Sequence, residues 1–388
     1  MLEGVFMDIY LDNASTTFPK PKIVTDSIYD YLVNVGGNAN RSSHSNSLDS
    51  SRYLLYAREK VADFFNFSNP SNVIFTNNIT TSLNVLIRGT LKSGDHVISS
   101  SMEHNSILRP LTDCSKNNIE VTLVSANKLG FIDPIEIENS IKENTKLIVV
   151  THASNVTGTI QNIKEIGKIA KKHNIFFVID TAQSAGVLKV DMKDLNASAI
   201  AFTGHKSLFG PQGVGGFVIN DELNSCCKSL LSGGTGSLSH DLNQPDFLPD
   251  KFESGTANMP GIVGLTKGIE FINEIGLDAI REKSSFLRNK FIDGILNIGD
   301  FIVYGPTNSS EATSCISINH KSLDPSEISF LLNDEGIKTR AGLHCAPLAH
   351  KTIGSFPAGT VRFSLSYFNS IEDIDYALKT LNNLKNNI

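Results

Sequence analysis

The sequence lacks the features that direct a chain to a membrane or into secretion. Its N-terminus, MLEGVFMDIYLDN, has neither a basic segment nor a long apolar stretch, which argues against a signal peptide. No apolar run approaches the roughly 18 residues of a membrane span. The formal net charge is −6, so composition gives no reason to expect a nucleic acid or an anionic membrane as a partner.

Cysteine is scarce, and its spacing excludes the common thiol-based architectures. Five cysteines occur, with no CxxC pair and no zinc spacing: Cys114, Cys226, Cys227, Cys315 and Cys345. This usage is typical of a protein in the reducing cytoplasm. We therefore expect a cytoplasmic protein without a metal site, in which at most one of the thiols takes part in chemistry.

The middle of the 388-residue chain alternates apolar strands with amphipathic helices. Strands are predicted at NVIFT, DHVISSS, KLIVVTHAS, IFFVIDT and SAIAFTG, and helices at SLNVLIRGTL, PIEIENSIKEN and IKEIGKIAKKH. Continuous Val/Ile/Phe strands between helices predict a mainly parallel sheet covered on both faces. Periodicity vanishes over 232–258, which predicts a long polar loop.

The remainder of the chain predicts a second, smaller unit. Helical patterns return after about residue 262, followed by short strands such as SCISINH and TVRFSLS. We therefore predict an α/β protein with a large, mainly parallel sheet domain at 15–255 and a smaller α+β domain formed by 1–14 and 256–388.

Polar side chains follow five of the predicted strands. In an open parallel sheet, ligands bind outside the carboxyl ends of the strands. The side chains at those ends are Thr80 and Thr81, then His104, then Asn155, then Asp180 with Gln183, and finally Thr203 with His205 and Lys206. We expect them to converge on one edge of the sheet.

Each of these residues also has an ordinary explanation when taken alone. The two threonines and Asp180 could cap helices, and Asn155 could lie in a turn. A loop histidine and a solvated lysine need no function. These independent explanations do not predict that an anion site, an acid, an aromatic base and a lysine meet at one place, so we favour a shared ligand.

Pyridoxal phosphate matches this set of groups. It needs a lysine for its Schiff base and a carboxylate to keep its pyridine nitrogen protonated. The stretch TGHKSLFGPQGVGG at 203–216 places Lys206 after an apolar strand and before four glycines, which would let the chain turn closely beneath the cofactor. The phosphate would lie at the helix N-terminus near Thr80 and Thr81, and His104 would stack on the ring.

Motifs along nearly the whole chain resemble those of the class V, fold-type I aminotransferases that use pyridoxal phosphate. Within that family the resemblance is to the cysteine desulfurase and selenocysteine lyase-like subgroup. The motifs, in family order, are YLDNASTTFPKP, TTSLN, MEHNS, HASNVTGT, IDTAQSAG, TGHKSLFGP, FESGTANMPGIVGL, RAGLHCAP and VRFSLSYFN. The combined DxxQ and GHK spacing is specific to the superfamily, and RAGLHCAP is specific to the subgroup.

The resemblance implies a role for each matching residue. Lys206 would bind the cofactor and shuttle a proton, Asp180 would pair with the pyridine nitrogen, and Gln183 would bond the phenolic oxygen. His104 would stack on the ring and assist proton transfer. The other implied contacts are to the phosphate, from Thr80, Thr81, Thr203, His205 and, across a homodimer interface, Thr256, and to the substrate carboxylate, from Asn155 and Arg362. Arg41 and His44 match a family segment less closely and receive no role.

Cys345 lies in KTRAGLHCAPLAH, among Arg, Gly, His and Pro rather than in an apolar periodic run. A partly exposed thiol near cationic groups is the setting of a reactive cysteine, whereas a small core residue is the common alternative. The other four cysteines lack this context, and we interpret them as structural. We hypothesise that the enzyme converts L-cysteine to L-alanine and that Cys345 takes the sulfur as a persulfide.

Three alternatives remain open on sequence alone. A selenocysteine lyase acting on L-selenocysteine would use the same residues. A thiol-independent class V aminotransferase or epimerase would not need Cys345, and a non-catalytic sulfur-carrier scaffold would bind the cofactor without turnover. Because a persulfide must be handed on, we also expect a sulfur-acceptor protein. The loop around Cys345 looks short, which predicts a thiol of limited mobility and a helper that extracts its sulfur.

Overall fold

The computed structural model describes residues 8–39 and 42–384. The strands of these residues are β1 (Ile9–Tyr10), β2 (Val73–Thr76), β3 (His96–Ser100), β4 (Glu120–Val124), β5 (Thr145–Thr151), β6 (Phe176–Asp180), β7 (Ala199–Thr203), β8 (Gly215–Ile219), β9 (Phe301–Tyr304), β10 (Cys315–His320), β11 (Ile337–Lys338), β12 (Arg340–Gly342) and β13 (Thr360–Ser364).

Helices separate most of these strands. The α-helices are α1 (Lys22–Asp30), α2 (Ser45–Phe64), α3 (Ile79–Thr90), α4 (Asn105–Ser115), α5 (Pro134–Asn139), α6 (Ile163–Lys172), α7 (Asp221–Cys226), α8 (Met259–Ile275), α9 (Leu277–Ile298), α10 (Pro325–Asp334), α11 (Pro347–Ile353) and α12 (Ile371–Leu384). A π-helical turn extends α1 over Tyr31–Val35, and short 3₁₀ turns lie at Pro70–Asn72 and Ser309–Glu311.

The large sheet has the strand order β2-β8-β7-β6-β5-β3-β4. Strands β3 to β7 pair in parallel, whereas β8 is antiparallel to both of its neighbours, so β2 runs in the same direction as the parallel strands. The prediction of a mainly parallel sheet is confirmed. The carboxyl ends of the five strands predicted from sequence therefore lie on one edge.

Continuous apolar strands form because both faces of this sheet are covered. In β5, Ile148 and Val150 belong to one hydrophobic core, while Leu147 and Val149 belong to the core on the opposite face, and all four are fully buried. Successive side chains of a strand point to opposite faces, so a strand covered on both sides needs apolar residues at every position.

Two of the four glycines after Lys206 serve the sheet rather than a turn. Gly215 and Gly216 begin β8, and a Cβ added at Gly216 would lie 2.3 Å from the carbonyl oxygen of Ile74 and 2.5 Å from the ring of Phe202. Gly213, with a φ of +79°, does lie in the turn before β8. The predicted turn is therefore only part of what the glycines do, and close strand packing is the rest.

A second core forms around a smaller antiparallel sheet with the order β12-β13-β10-β9. Its apolar residues come from Ile9 and Leu11 and from positions 287–384. The apolar side chains of α8, such as Ile262 and Ile269, pack in the core of the large sheet instead. The division of the chain at residue 255 stays a prediction, and the cores place α8 with the first unit.

The structure also tests the predicted long loop and one of the predicted helices. No helix or strand occurs between α7 and α8, where the long polar loop was expected. The segment PIEIENSIKEN is helical only over its first six residues, Pro134–Asn139, because a turn follows before β5. Among the described residues, no helix is both long and apolar enough to cross a membrane.

Candidate active site

Several of the predicted polar residues lie at the carboxyl edge of the large sheet. Asp180 ends β6, Thr203 ends β7, and Lys206 follows three residues later. The charge of Lys206 affects the pKa of both Asp180 and His104, which shows that the three groups share one electrostatic environment.

The N-terminal segment fixes the backbone that carries Lys206. The hydroxyl of Thr17 donates to the Lys206 carbonyl at 2.7 Å. The adjacent carbonyl, that of His205, accepts from the Thr17 amide at 2.9 Å, the Thr16 hydroxyl at 3.0 Å and the Lys20 ammonium at 2.8 Å. The motif NASTTFPKP therefore has a structural purpose, since four of its polar groups hold the lysine segment in place.

The side chain of Lys206 lies in a poorly solvated setting. Burial lowers the pKa of Lys206 to about 8; Asp180 raises this pKa in part, and Arg362 lowers it further. With a pKa of about 8, a minority of the amine is neutral near physiological pH. A neutral amine is nucleophilic and can accept a proton.

Asp180 and Gln183 are both buried, and Asp180 lies close enough to Lys206 for their charges to interact. Burial raises the pKa of Asp180, opposed by the hydrogen bond from the Ala182 amide at 2.8 Å and by the charge of Lys206. The amide nitrogen of Gln183 donates to the carbonyl of Ala14 at 3.1 Å. A buried carboxylate of this kind is stabilised by a cationic ligand group.

His104 caps helix α4 and is held in one orientation. Its Nδ1 accepts from the Ser106 amide at 3.0 Å. Burial lowers the pKa of His104 to about 4, and the positive charges of Lys206 and Arg340 lower it further. The ring is therefore neutral at physiological pH, as suits a group that stacks on an aromatic ligand.

The predicted phosphate ligands include buried groups that lack a protein partner. Thr203 Oγ1 and His205 Nδ1 are buried without a hydrogen bond. Asn78, rather than either threonine, caps α3, because its Oδ1 accepts from the Thr81 amide at 3.0 Å. Thr80 is exposed in the same first turn.

Thr256 lies in the long loop and is exposed. It lines a cavity of about 140 Å³ together with Thr81 of the same chain. Thr256 thus lies near one predicted phosphate ligand of its own chain, and its role across a dimer interface stays a prediction.

The two predicted substrate ligands, Asn155 and Arg362, are already partly engaged. The guanidinium of Arg362, 1% exposed, donates to Asp12 at 2.7 Å, to the Ser15 hydroxyl at 2.8 Å and to the Asn155 carbonyl at 3.2 Å. Its Nε has no partner. The side-chain amide of Asn155 donates to the carbonyl of His344 at 2.7 Å. Both residues reach the site, and their contact with a substrate stays a prediction.

Cys345 is exposed and lies in a four-residue connection between β12 and α11. A guanidinium nitrogen of Arg340 lies 3.7 Å from its sulfur. Burial raises the pKa of both Cys227 and Cys315 to about 11, so these thiols are unreactive near neutral pH. This contrast agrees with the interpretation of Cys345 as the reactive thiol.

Of the remaining cysteines, Cys114 is buried and Cys226 is partly exposed beside Ser225. His44 caps α2 by accepting from the Ser47 amide at 3.3 Å, which is a structural contact. Arg41 lies outside the described residues. Within the described residues, no group of three His, Cys, Asp or Glu side chains is placed to hold a metal ion.

Sequence reasoning assigned no role to several residues that the structure places at the site. Glu103 is fully buried, accepts from the Thr151 amide at 2.9 Å and bonds Ser100 Oγ at 2.5 Å. It occupies the position before His104 in MEHNS. Arg340 and His344 precede the thiol within KTRAGLHCAP, and the motif by itself does not indicate their contacts with Cys345 and Thr360.

Comparison with known proteins places the chain in a family. The aminotransferase class-V family matches residues 9–377, so the chain belongs to that family. The resemblance read from the motifs is confirmed.

Within the aminotransferase class-V family, the chain is similar to proteins named cysteine desulfurase. A protein of Methanothermobacter thermautotrophicus named "Probable cysteine desulfurase" is 34% identical over 380 residues, which cover 96% of this chain and 94% of that protein. A protein of Haloferax volcanii named "Cysteine desulfurase" is 30% identical over 95% of this chain and 87% of its own length. The apo structure of a cysteine desulfurase from Thermococcus onnurineus has a TM-score of 0.93 and 33% identity, covering 98% of this chain and 95% of that one.

Proposed function

We propose that the protein is a cysteine desulfurase that uses pyridoxal phosphate to convert L-cysteine to L-alanine and keeps the sulfur on Cys345. One observation carries the proposal. The exposed thiol of Cys345 has the Arg340 guanidinium at 3.7 Å, and the charge of that arginine also reaches His104 and Lys206 at the carboxyl edge of the sheet. A thiol-independent aminotransferase would have no use for this arrangement.

The residues present fit the cofactor. Buried Thr203 Oγ1 and His205 Nδ1 lack partners that a phosphate would supply. Burial raises the pKa of Asp180, and a protonated pyridine nitrogen would join the charge of Lys206 in stabilising its carboxylate. When bound, pyridoxal phosphate supplies an electron sink that allows a proton to leave the α-carbon of an amino acid. The residues that would hold it are Thr80, Thr81, His104, Asp180, Gln183, Thr203, His205, Lys206 and Thr256.

Lys206 is the group that would attach the cofactor and move the substrate proton. Because burial lowers its pKa to about 8, its Nζ is in part unprotonated near neutral pH and can accept the α-proton. Neutral His104 would pack on the cofactor ring. Arg362, through its unpartnered Nε, would orient the substrate carboxylate together with Asn155.

Sulfur transfer then takes place between two sulfur atoms. The Cys345 thiolate attacks the substrate sulfur, so that an S–S bond forms while the substrate Cβ–S bond breaks. The electron pair left on Cβ takes up a proton and becomes the methyl group of alanine. Cys345 is left as a persulfide, so the first turnover needs no external oxidant or reductant.

The wider setting follows from this chemistry. A persulfide must be passed to an acceptor, so we propose a sulfur-acceptor protein as partner and the cytoplasm as the compartment, where thiols stay reduced. We also propose a homodimer in which Thr256 of one subunit serves the phosphate site of the other.

The direct test incubates the purified holoenzyme with L-cysteine and dithiothreitol and measures alanine and sulfide. The wild type should form both in equal amounts, and Lys206→Ala should form neither. Cys345→Ser should keep the cofactor absorbance and its change on adding L-cysteine, yet form alanine at least about 100-fold more slowly. Cys226→Ser is the matched control and should behave as wild type. Alanine formation by Lys206→Ala at the wild-type rate would refute the proposal.

A further inference from the structure

The segment that carries Cys345 is held in an unfavourable backbone conformation. His344 and Cys345 have φ values of +47° and +58°, in the left-handed region that residues with a Cβ seldom occupy. Two such residues in succession persist only where surrounding contacts fix them. The contacts of this segment therefore show what holds the thiol where it is.

Three hydrogen bonds anchor the two left-handed residues. The amide of Asn155, which follows β5, donates to the His344 carbonyl at 2.7 Å. The backbone amide of Asn105, at the start of α4, donates to the Cys345 carbonyl at 2.7 Å. The imidazole Nε2 of His344 lies 3.1 Å from the carbonyl and 3.0 Å from the hydroxyl of Thr360, at the start of β13. The thiol is thus tied to the large sheet and to the small sheet at once.

The His344 ring is the side-chain part of this anchor. The residue is 2% exposed, and burial, followed by the charge of Arg362, holds its pKa far below the ordinary value. A neutral ring carries one N–H, and the Thr360 carbonyl can only accept, so that N–H lies on Nε2. The His350 ring packs against it with centroids 5.3 Å apart, and the Thr360 hydroxyl donates onward to Ser317 at 2.9 Å.

We propose that His344 is a positioning residue for the thiol: its ring, bonded to Thr360, holds the left-handed segment so that Cys345 is presented beside Arg340 at the cofactor site. The inference rests on the proposed function for its kinetic test. The connection between β12 and α11 is only four residues long, so the contacts of His344 make up a large part of what holds the thiol in place.

The test compares three variants of the holoenzyme with wild type. His344→Ala removes the ring. His344→Asn also removes it but keeps a residue that tolerates positive φ. Thr360→Val removes the hydroxyl partner and leaves the carbonyl. His320→Ala is the matched control, since His320 Nδ1 bonds only the amides of Ser322 and Leu323 after β10.

Positioning predicts a specific kinetic signature. Both His344 variants should lower kcat for alanine formation by about 10- to 100-fold while KM for L-cysteine stays within about threefold. The cofactor spectrum and its change on adding L-cysteine should be retained, and Thr360→Val should fall between these variants and wild type. The His320 control should be unaffected.

Several results would overturn the inference. Unchanged kcat in His344→Ala would do so, and so would full recovery in His344→Asn, which would show that backbone tolerance alone suffices. Loss of the cofactor spectrum in His344→Ala would place the ring in the cofactor site instead. If that variant does not fold, wild-type kcat in Thr360→Val would decide against the inference.

A second measurement separates this inference from the proposed function. The rate at which iodoacetamide alkylates Cys345 in the holoenzyme does not depend on desulfuration. A change of at least threefold in His344→Ala, with none in His320→Ala, would support the anchor even if the wild type forms no alanine. Equal rates in His344→Ala and wild type would count against it.

Discussion

Lys206 shows how burial prepares an ordinary side chain for chemistry. A solvated lysine is almost fully protonated at neutral pH, whereas burial lowers the pKa of Lys206 to about 8. Removing solvent from the ammonium disfavours its charged form and so lowers the pKa. The negative charge of Asp180 offsets only part of this decrease. The reactivity of the residue is therefore a property of its site.

The lowered pKa predicts the pH dependence of cofactor loading. The neutral amine reacts with the aldehyde, so loading of the cofactor-free protein should accelerate as pH rises through about 8 and level off above it. The rate is followed by visible absorbance between pH 6 and 9.5. Lys206→Ala should show no such phase. A rate that still rises steeply at pH 9.5 would show that the amine is not desolvated.

Glu103 predicts a separate effect of pH on stability. Burial raises the pKa of Glu103 to about 8, with Asp180 adding to the rise. Because the pKa of Glu103 is higher in the folded than in the unfolded protein, its contribution to stability is fully present below the unfolded-state pKa near 4.5. This contribution is lost as pH rises through the folded-state pKa of about 8. Glu103→Gln, which cannot ionise, should match wild type near pH 5 and melt on the order of 5 °C higher at pH 9. If the melting temperatures of the two proteins differ by the same amount at every pH between 5 and 9, the prediction is wrong.

At the scale of elements, β8 shows what a glycine-rich strand does for the sheet. Its first two residues pack so closely that a Cβ at Gly216 would meet the backbone of β2 and the ring of Phe202. The strand runs antiparallel to β7, so the loop that contains Lys206 joins the two strands at the carboxyl end of β7. The need for close packing, rather than an apolar pattern, explains the two glycines at the start of this strand.

This packing predicts a selective loss of stability. Gly216→Ala should cost on the order of 3 kcal/mol, because the contacting atoms are backbone and a buried ring that cannot move aside. Gly233→Ala is the control, since its Cβ would meet Ser254 at an ordinary 3.4 Å. Thermal melting of both variants gives the comparison. Equal melting temperatures would mean that the sheet can expand locally.

The elements differ in how readily sequence predicts them. Strands β5, β6 and β7 are continuous apolar runs because both faces are covered, so their pattern is unambiguous. Strand β4 lies at the sheet edge and is partly exposed, and β8 begins with two glycines, so neither has a clear apolar pattern. For this reason the apolar pattern of the sequence predicts neither β4 nor β8.

The candidate site also has parts that the sequence predicts and parts that it does not. Residues at strand ends could be predicted, because a parallel sheet places those ends on one edge. The bond between Asn155 and His344 joins residues 189 positions apart. Contacts of this kind arise only when the two cores are assembled, and no local pattern encodes them.

At the scale of the whole molecule, one exposed apolar surface suits the proposed homodimer. Tyr29, Leu32 and Val33, on α1 and the π-helical turn, are 69%, 59% and 61% exposed. Neighbouring apolar side chains of this size are typical of a surface that another protein covers. Covering this surface is one gain that the proposed homodimer would provide.

A mixed dimer tests whether Thr256 acts across the interface. Each of Lys206→Ala and Thr256→Ala should impair the enzyme alone, whereas dimers that contain one subunit of each should regain one complete site. Cofactor affinity and alanine formation are measured after the variants are mixed and separated by tag. No recovery would show that Thr256 serves its own chain, where it shares a cavity with Thr81.

The central claim is that Lys206 forms the covalent link to pyridoxal phosphate, and peptide mapping tests it most directly. The purified holoenzyme is treated with borohydride, digested and analysed by mass spectrometry for the pyridoxyl mass. The account predicts this mass on the peptide that contains Lys206, with loss of visible absorbance on reduction. The mass on Lys20 or another lysine, or on none, would contradict it.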